Sequence, residues 1–143
     1  MFTFKQFTIN QDRCAMKVGT DGVLLGAWTP LINNPYNVLD IGAGTGLIAL
    51  MIAQRCNAEQ IDAIEIDEEA YEQCVENFEA SPWNDRLFCF HADLNEYTEE
   101  LFEEEEEYDI DESQSLLNLA KRRFPEKILQ WHYRSKYEEI INF

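Results

Sequence analysis

The sequence predicts an α/β fold built on a parallel sheet flanked by helices. Three observations lead there. Short apolar runs suited to strands alternate with segments of helical period, the order that βαβ units produce. A glycine-rich turn joins one such run directly to an apolar helix. A chain of 143 residues with 45% hydrophobic and 13% aromatic content also has enough apolar mass for one domain with a real core.

The elements follow in order. Phe2–Ile9 partly alternates apolar and polar side chains, so it reads as a strand or hairpin arm. Thr20 or Asp21 can cap a short helix through Val23–Trp28. Pro30–Pro35 is a loop, with Asn33-Asn34-Pro35 as its turn signal. Asn37–Ile41 is a short buried strand, Gly42–Gly46 a flexible turn, and Leu47–Arg55 an apolar helix for the face of a sheet. Gln60–Ile66 is the second strand. Glu68–Glu79 is a helix with Tyr71, Val75 and Phe78 on one stripe, ended by Ser81-Pro82. Arg86–Phe90 is the third strand, followed by His91-Ala92-Asp93-Leu94. Beyond the acidic stretch Glu99–Glu112, the pattern predicts a helix over Ser113–Phe124 stopped by Pro125, a strand over Ile128–Tyr133, and a last helix over Lys136–Asn142.

Composition narrows the function classes. The formal net charge of -17 repels phosphate backbones, which disfavours tight general binding to nucleic acid. The charge is uneven, because Lys121, Arg122, Arg123, Lys127, Arg134 and Lys136 all follow the acidic stretch. That divides the chain into a region 1–109 and a tail 110–143. Cys14, Cys56, Cys74 and Cys89 form no C-x-x-C pair, which argues for reduced thiols and against disulfides or a metal site. No apolar run has the length to span a bilayer, and Met1–Gln6 lacks the pattern of a secretory signal. The expectation is a cytoplasmic protein without a membrane partner.

The strongest chemical signal is Asp40-Ile41-Gly42-Ala43-Gly44-Thr45-Gly46, which follows a strand and opens a helix. Glycines there allow positive φ and let a ligand approach the backbone, while the helix N-terminus offers amides to an anionic group. The spacing is G-x-G-x-G. The dinucleotide fingerprint fails because Leu47 stands where a further glycine belongs. Asp40, expected at the mouth of the loop, would repel a pyrophosphate and suits a zwitterionic, cationic ligand. S-adenosylmethionine, with its ammonium, carboxylate and sulfonium, is such a ligand. Glu65 lies about 20 residues further on, at a strand end, where an acid can accept both ribose hydroxyls. Asp93 follows the third strand, within reach of an adenine edge. The plain alternative for these residues is a strand-turn-helix with solvated acids.

Residues 2–109 resemble bacterial methyltransferases that modify adenine at N6 in valine tRNA. The resemblance rests on Phe2-Thr-Phe-Lys-Gln-Phe7, Met16-Lys-Val-Gly-Thr-Asp-Gly-Val-Leu-Leu-Gly-Ala-Trp28, Val38–Leu50, Ile64-Glu-Ile-Asp67 and Phe90-His-Ala-Asp93. It implies a Rossmann-like methyltransferase sheet, truncated here, and a cofactor, S-adenosylmethionine, held by Asp40, Gly42, Gly44, Glu65 and Asp93. It further implies that Lys17, Thr20 and Asp21 line the methionine end, although Thr20-Asp21 reads equally well as a helix cap. It implies tRNA as partner, which the net charge disfavours. In that family the strand near Tyr108-Asp109 runs into an Asn-Pro-Pro-aromatic motif, whose acceptors hold the exocyclic amine while the aromatic ring stacks on the extruded base. This chain instead reads Tyr108-Asp109-Ile110-Asp111-Glu112-Ser113, and its four prolines are never adjacent. No residue is therefore assigned a catalytic role from the sequence.

The tail resembles something else. Leu116–Phe143, above all Phe124–Lys136, is similar to a stretch of superfamily-one nucleic-acid helicases, without a Walker loop. His132 and Arg134 there share a strand face but have no partner constellation, and His91 has no nucleophile to serve. Without the tail, Asn37–Ile41 would leave an open apolar edge. The tail's helix and strand are expected to form a right-handed crossover beside it and complete a four-stranded parallel core, with dimerisation or domain swapping as the other way to cover the edge. Three functions remain open: a methyltransferase, a cofactor-binding module without catalysis, and a structural or interaction fragment.

Overall fold

The computed structural model describes residues 1–104 and 128–130. A short antiparallel hairpin opens the chain, β1 (Phe2–Thr3) with β2 (Thr8–Ile9). There follow α1 (Thr20–Trp28), β3 (Asn37–Ile41), α2 (Leu47–Arg55), β4 (Gln60–Glu65), α3 (Glu68–Glu79), β5 (Leu87–His91) and α4 (Leu94–Glu104), and then β6 (Ile128–Gln130). β3 to β6 form a sheet in the order β5-β4-β3-β6, with every neighbouring pair parallel. β6 takes the place beside β3 that the tail strand was expected to fill, pairing Leu39 with Ile128 and Ile41 with Gln130. The expected helices over 113–124 and 136–142, together with His132 and Arg134, lie outside the described residues.

Alternation along the strands sends successive side chains to opposite faces. One face carries Val38, Ile61, Ala63 and Leu87, and α2 and α3 cover it with Leu50, Ile52, Cys74 and Phe78. Each fully buried aliphatic side chain there contributes roughly 1.5–3 kcal/mol through removal from water. The other face carries Leu39 and Ile64 under Tyr97 of α4. α4 is absent from the expected elements. Its start is written as Asp93-x-x-Glu96, and the two side chains cap each other's amides at 2.9 Å, Glu96 N–H to Asp93 and Asp93 N–H to Glu96. Tyr97 then donates its hydroxyl to buried Asp62 at 2.7 Å.

Two expectations need correction. The buried stripe of α3 is Ala70, Gln73, Cys74, Asn77 and Phe78, rotated from the Tyr71–Val75–Phe78 line. Two polar residues occupy it because they find backbone partners in the N-terminal segment. The N-cap of α1 is Gly19, with no side-chain cap bond, so neither Thr20 nor Asp21 caps it. α1 packs on α2 where Gly26 faces Met51; a Cβ at Gly26 would meet Met51 Sδ at 2.6 Å. Arg55 locks the same pair, donating to the carbonyls of Gly26 (2.6 Å) and Thr29 (2.9 Å). All four cysteines are free thiols. No helix among the described residues is long and apolar enough to cross a membrane.

Candidate functional site

Ligands of open α/β sheets bind beyond the carboxyl ends of the strands, where the strand order reverses. Here that point is β3, with β4 on one side and β6 on the other. The chain leaving β3 is the glycine loop. Gly42, Gly44 and Gly46 have φ of 76°, 55° and 80°, all in the left-handed region that glycine tolerates. The loop is tied to β4, for the N–H groups of Gly42 and Ala43 both donate to the carbonyl of Ile64 at 2.9 and 3.0 Å. Gly46 is pinned from below. A Cβ there would lie 2.6 Å from Phe78 Cε1 and 2.9 Å from Cys74 Sγ. At Gly42 and Gly44 a Cβ would meet nothing within 4 Å, so the loop's upper side is open.

That open side is one wall of a cavity of about 310 Å³. The loop and the first turn of α2 supply Gly42–Thr45, Leu47 and Ile48. The opposite wall is the segment Met16–Gly22, which includes Lys17, Thr20 and Asp21. Thus five residues singled out in the sequence (Lys17, Thr20, Asp21, Gly42 and Gly44) border a single space. Asp40, Glu65 and Asp93 are not among its lining residues.

Asp40 was expected at the mouth of the loop, and the structure places it beneath. It is 1% exposed, on the sheet face that α2 covers. One carboxylate oxygen accepts the Ala49 N–H in the first turn of α2 at 3.2 Å. The other, Oδ1, has no hydrogen-bond partner among the described residues. Burial pushes the carboxyl up to about 7, with the Ala49 amide opposing and Glu65 adding to the rise. The alternation of β3 explains the shift in position: Val38 faces α2, so Asp40, two residues on, must as well.

Glu65 ends β4 as expected and holds the loop in place. Its Oε2 accepts the Gly44 N–H at 2.7 Å, and Oε1 accepts the N–H groups of Ile66 (2.9 Å) and Asp67 (3.0 Å). Asp93 is engaged in the α4 cap. His91 closes β5, where its ring stacks on Tyr71 with centroids 5.2 Å apart and an 18° tilt, and Nε2 lies 3.1 Å from the carbonyl of Ile66. The sequence reading missed Gln73 and Asn77. Both are buried amides on α3 bonded to the chain before Met16. Their signal was two amides at i and i+4 on a face otherwise apolar.

Residues 38–135 match the protein family described as a methyltransferase domain. A tRNA1(Val) (adenine(37)-N6)-methyltransferase of Flavobacterium johnsoniae is 71% identical over 110 residues, covering 77% of this chain and 46% of that protein. The enzyme of the same name from Flavobacterium psychrophilum is 70% identical over a match of the same extent. The chain therefore spans about half the length of these relatives. Among solved structures, an O-methyltransferase from Bacillus cereus in complex with SAH superposes with a TM-score of 0.52 at 20% identity, covering 68% of this chain and 43% of that one. That likeness is one of fold.

Proposed function

Since the chain belongs to the methyltransferase-domain family, we propose that its cavity takes the amino-acid end of S-adenosylmethionine. On this reading the chain is the cofactor-holding half of an enzyme that methylates adenine N6 in valine tRNA. The observation that carries the reading is the make-up of the cavity. It is bordered by one cation, Lys17, and one anion, Asp21, both beside the start of α1, with the start of α2 across the space. A zwitterionic amino-acid group matches that pair, and its carboxylate suits the amides at the start of α2. The residues fit the rest of the group as well. The open space above Gly42 and Gly44 admits close approach to the backbone. Glu65, beside the loop at the end of β4, can offer Oε2 to a ribose hydroxyl. When bound, S-adenosylmethionine supplies a methyl group on a sulfonium. The protein's own part is to orient that group through Lys17, Asp21 and the loop, and to anchor the loop through Glu65.

The nature of the acceptor rests on the relatives' names, which specify adenine in tRNA. A second reading, a cofactor-binding module without transfer, is favoured by one specific observation. Tyr108-Asp109-Ile110-Asp111 stands where the resembled family carries its base-holding motif. Calorimetric titration with S-adenosylmethionine and its demethylated product tests what both readings share. Saturable binding is expected, weakened about tenfold or more by Lys17→Ala or Asp21→Ala through loss of a charge-assisted contact. A folded sample that binds neither compound would overturn the reading. Transfer of a labelled methyl group to unmodified valine tRNA then separates enzyme from module.

A further inference from the structure

The two walls of the cavity come from distant parts of the chain, Met16–Gly22 and Gly42–Ile48. α3, which lines no part of the cavity, bonds to one wall at Thr45 and to the segment Asn10–Arg13 that precedes the other. Asn77 is 1% exposed, and its side-chain amide makes three hydrogen bonds. Its Oδ1 accepts the Asn10 N–H at 2.8 Å, and its Nδ2 donates to the Asn10 carbonyl at 2.9 Å. The same Nδ2 donates to the carbonyl of Thr45 at 2.8 Å, inside the glycine loop between two residues of positive φ. One turn earlier, Gln73 accepts the Arg13 N–H at 2.8 Å and donates to Asp12 at 3.1 Å. Arg13 in turn pairs with Glu72 and Glu76 on the exposed side of α3. Residues 10–13 are tied to the wall at Met16–Gly22 by Gln11, whose Oε1 accepts the Val18 N–H at 2.8 Å.

Asn77 thus holds the approach to one wall and the backbone of the other with a single planar group. A buried amide cannot release one of these partners without leaving a polar atom unsatisfied, so the two walls are fixed relative to each other. We propose that Asn77 is a positioning residue that sets the width of the cavity, acting on the ligand through Thr45 on one side and the segment after Asn10 on the other. Gln73 differs from it, because it bonds only to the segment before the first wall, at Asp12 and Arg13. The role rests on the cofactor reading for its effect on ligand, while the coupling of the walls does not.

The test uses the whole chain with three variants: Asn77→Asp, Asn77→Ser and Gln73→Glu. Asn77→Asp keeps the shape and the acceptor for Asn10 N–H, and sets a second acceptor against two carbonyls. Amide hydrogen exchange is followed without ligand over residues 10–22 and 42–48. Affinity for the demethylated cofactor product is measured alongside. Either Asn77 variant is expected to speed exchange in both segments together, and to weaken ligand about tenfold with the α2 interior still protected. Gln73→Glu is expected to loosen the first segment alone. If a variant at Asn77 folds and leaves either segment as protected as in the parent chain, the coupling is disproved. Loosened walls with unchanged affinity would likewise refute the positioning role. Failure of the parent chain itself to bind would strike the cofactor reading, and the exchange result would still decide the coupling. Should Asn77→Ser fail to fold, Asn77→Asp decides alone.

Discussion

Asp40 combines burial with an oxygen that lacks a partner among the described residues, and its carboxyl is raised to about 7 from an ordinary 3.8. The sign of the pH dependence follows. Between those two values the unfolded chain has already released its proton and the folded chain has not, so the native state binds more protons. The contribution of this group to stability is full below pH 4, falls as pH rises, and is gone above about 7. Urea unfolding of the parent chain against Asp40→Asn between pH 4 and 8 checks this. The parent should lose on the order of 4 kcal/mol relative to the variant across that range. A difference independent of pH would mean that Asp40 titrates normally. Gly46 makes a second prediction at the same scale. Gly46→Ala forces an L side chain to φ 80° and drives its Cβ into Phe78 and Cys74. Denaturant titration should show a loss of about 2–4 kcal/mol.

At the level of elements, α4 separates two roles for one residue. Asp93 caps the helix, and the resemblance asks it also to face an adenine edge. Ser caps about as well as Asp. Asp93→Ser should therefore keep stability within about 0.5 kcal/mol, while Asp93→Ala loses roughly 1 kcal/mol by thermal unfolding. If Asp93→Ser also leaves cofactor affinity untouched, the residue is a cap and nothing more. The elements most legible in the sequence were those with strong local signals. β3, α2, β4, α3 and β5 were each expected within about two residues of their observed bounds. The turn at Gly42–Gly46 and the place of Glu65 at a strand end were legible from the spacing of glycines after a strand. α4 was overlooked because its acidic composition hid the capping pair that starts it. Asp40's depth was written in the alternation of β3, which the reading of the loop passed over, whereas the roles of Gln73 and Asn77 were illegible. The partners of these two amides are backbone groups some sixty residues away, so their spacing marks the face but not what they bind.

Over the whole molecule, the net charge of -17 is the dominant long-range term. Like charges on one small body repel, and salt screens them beyond a Debye length of about 8–10 Å. Raising sodium chloride from 50 to 500 mM should stabilise the fold by about 1 kcal/mol or more, read as a higher urea midpoint with unchanged slope. A midpoint that falls with salt would show that attractive ion pairs outweigh the repulsion. The same field bears on tRNA. If the chain binds it, phosphate contact must come from local cations against an unfavourable background, and affinity will depend steeply on salt.

The ladder between β3 and β6 has a consequence of another kind. Its partners are matched through main-chain groups, three residues against three. Such pairing carries almost no sequence code, so an edge strand is a socket and not a lock. The shielding of β3 on that side therefore asks of its neighbour an extended backbone in register, and little of its particular side chains.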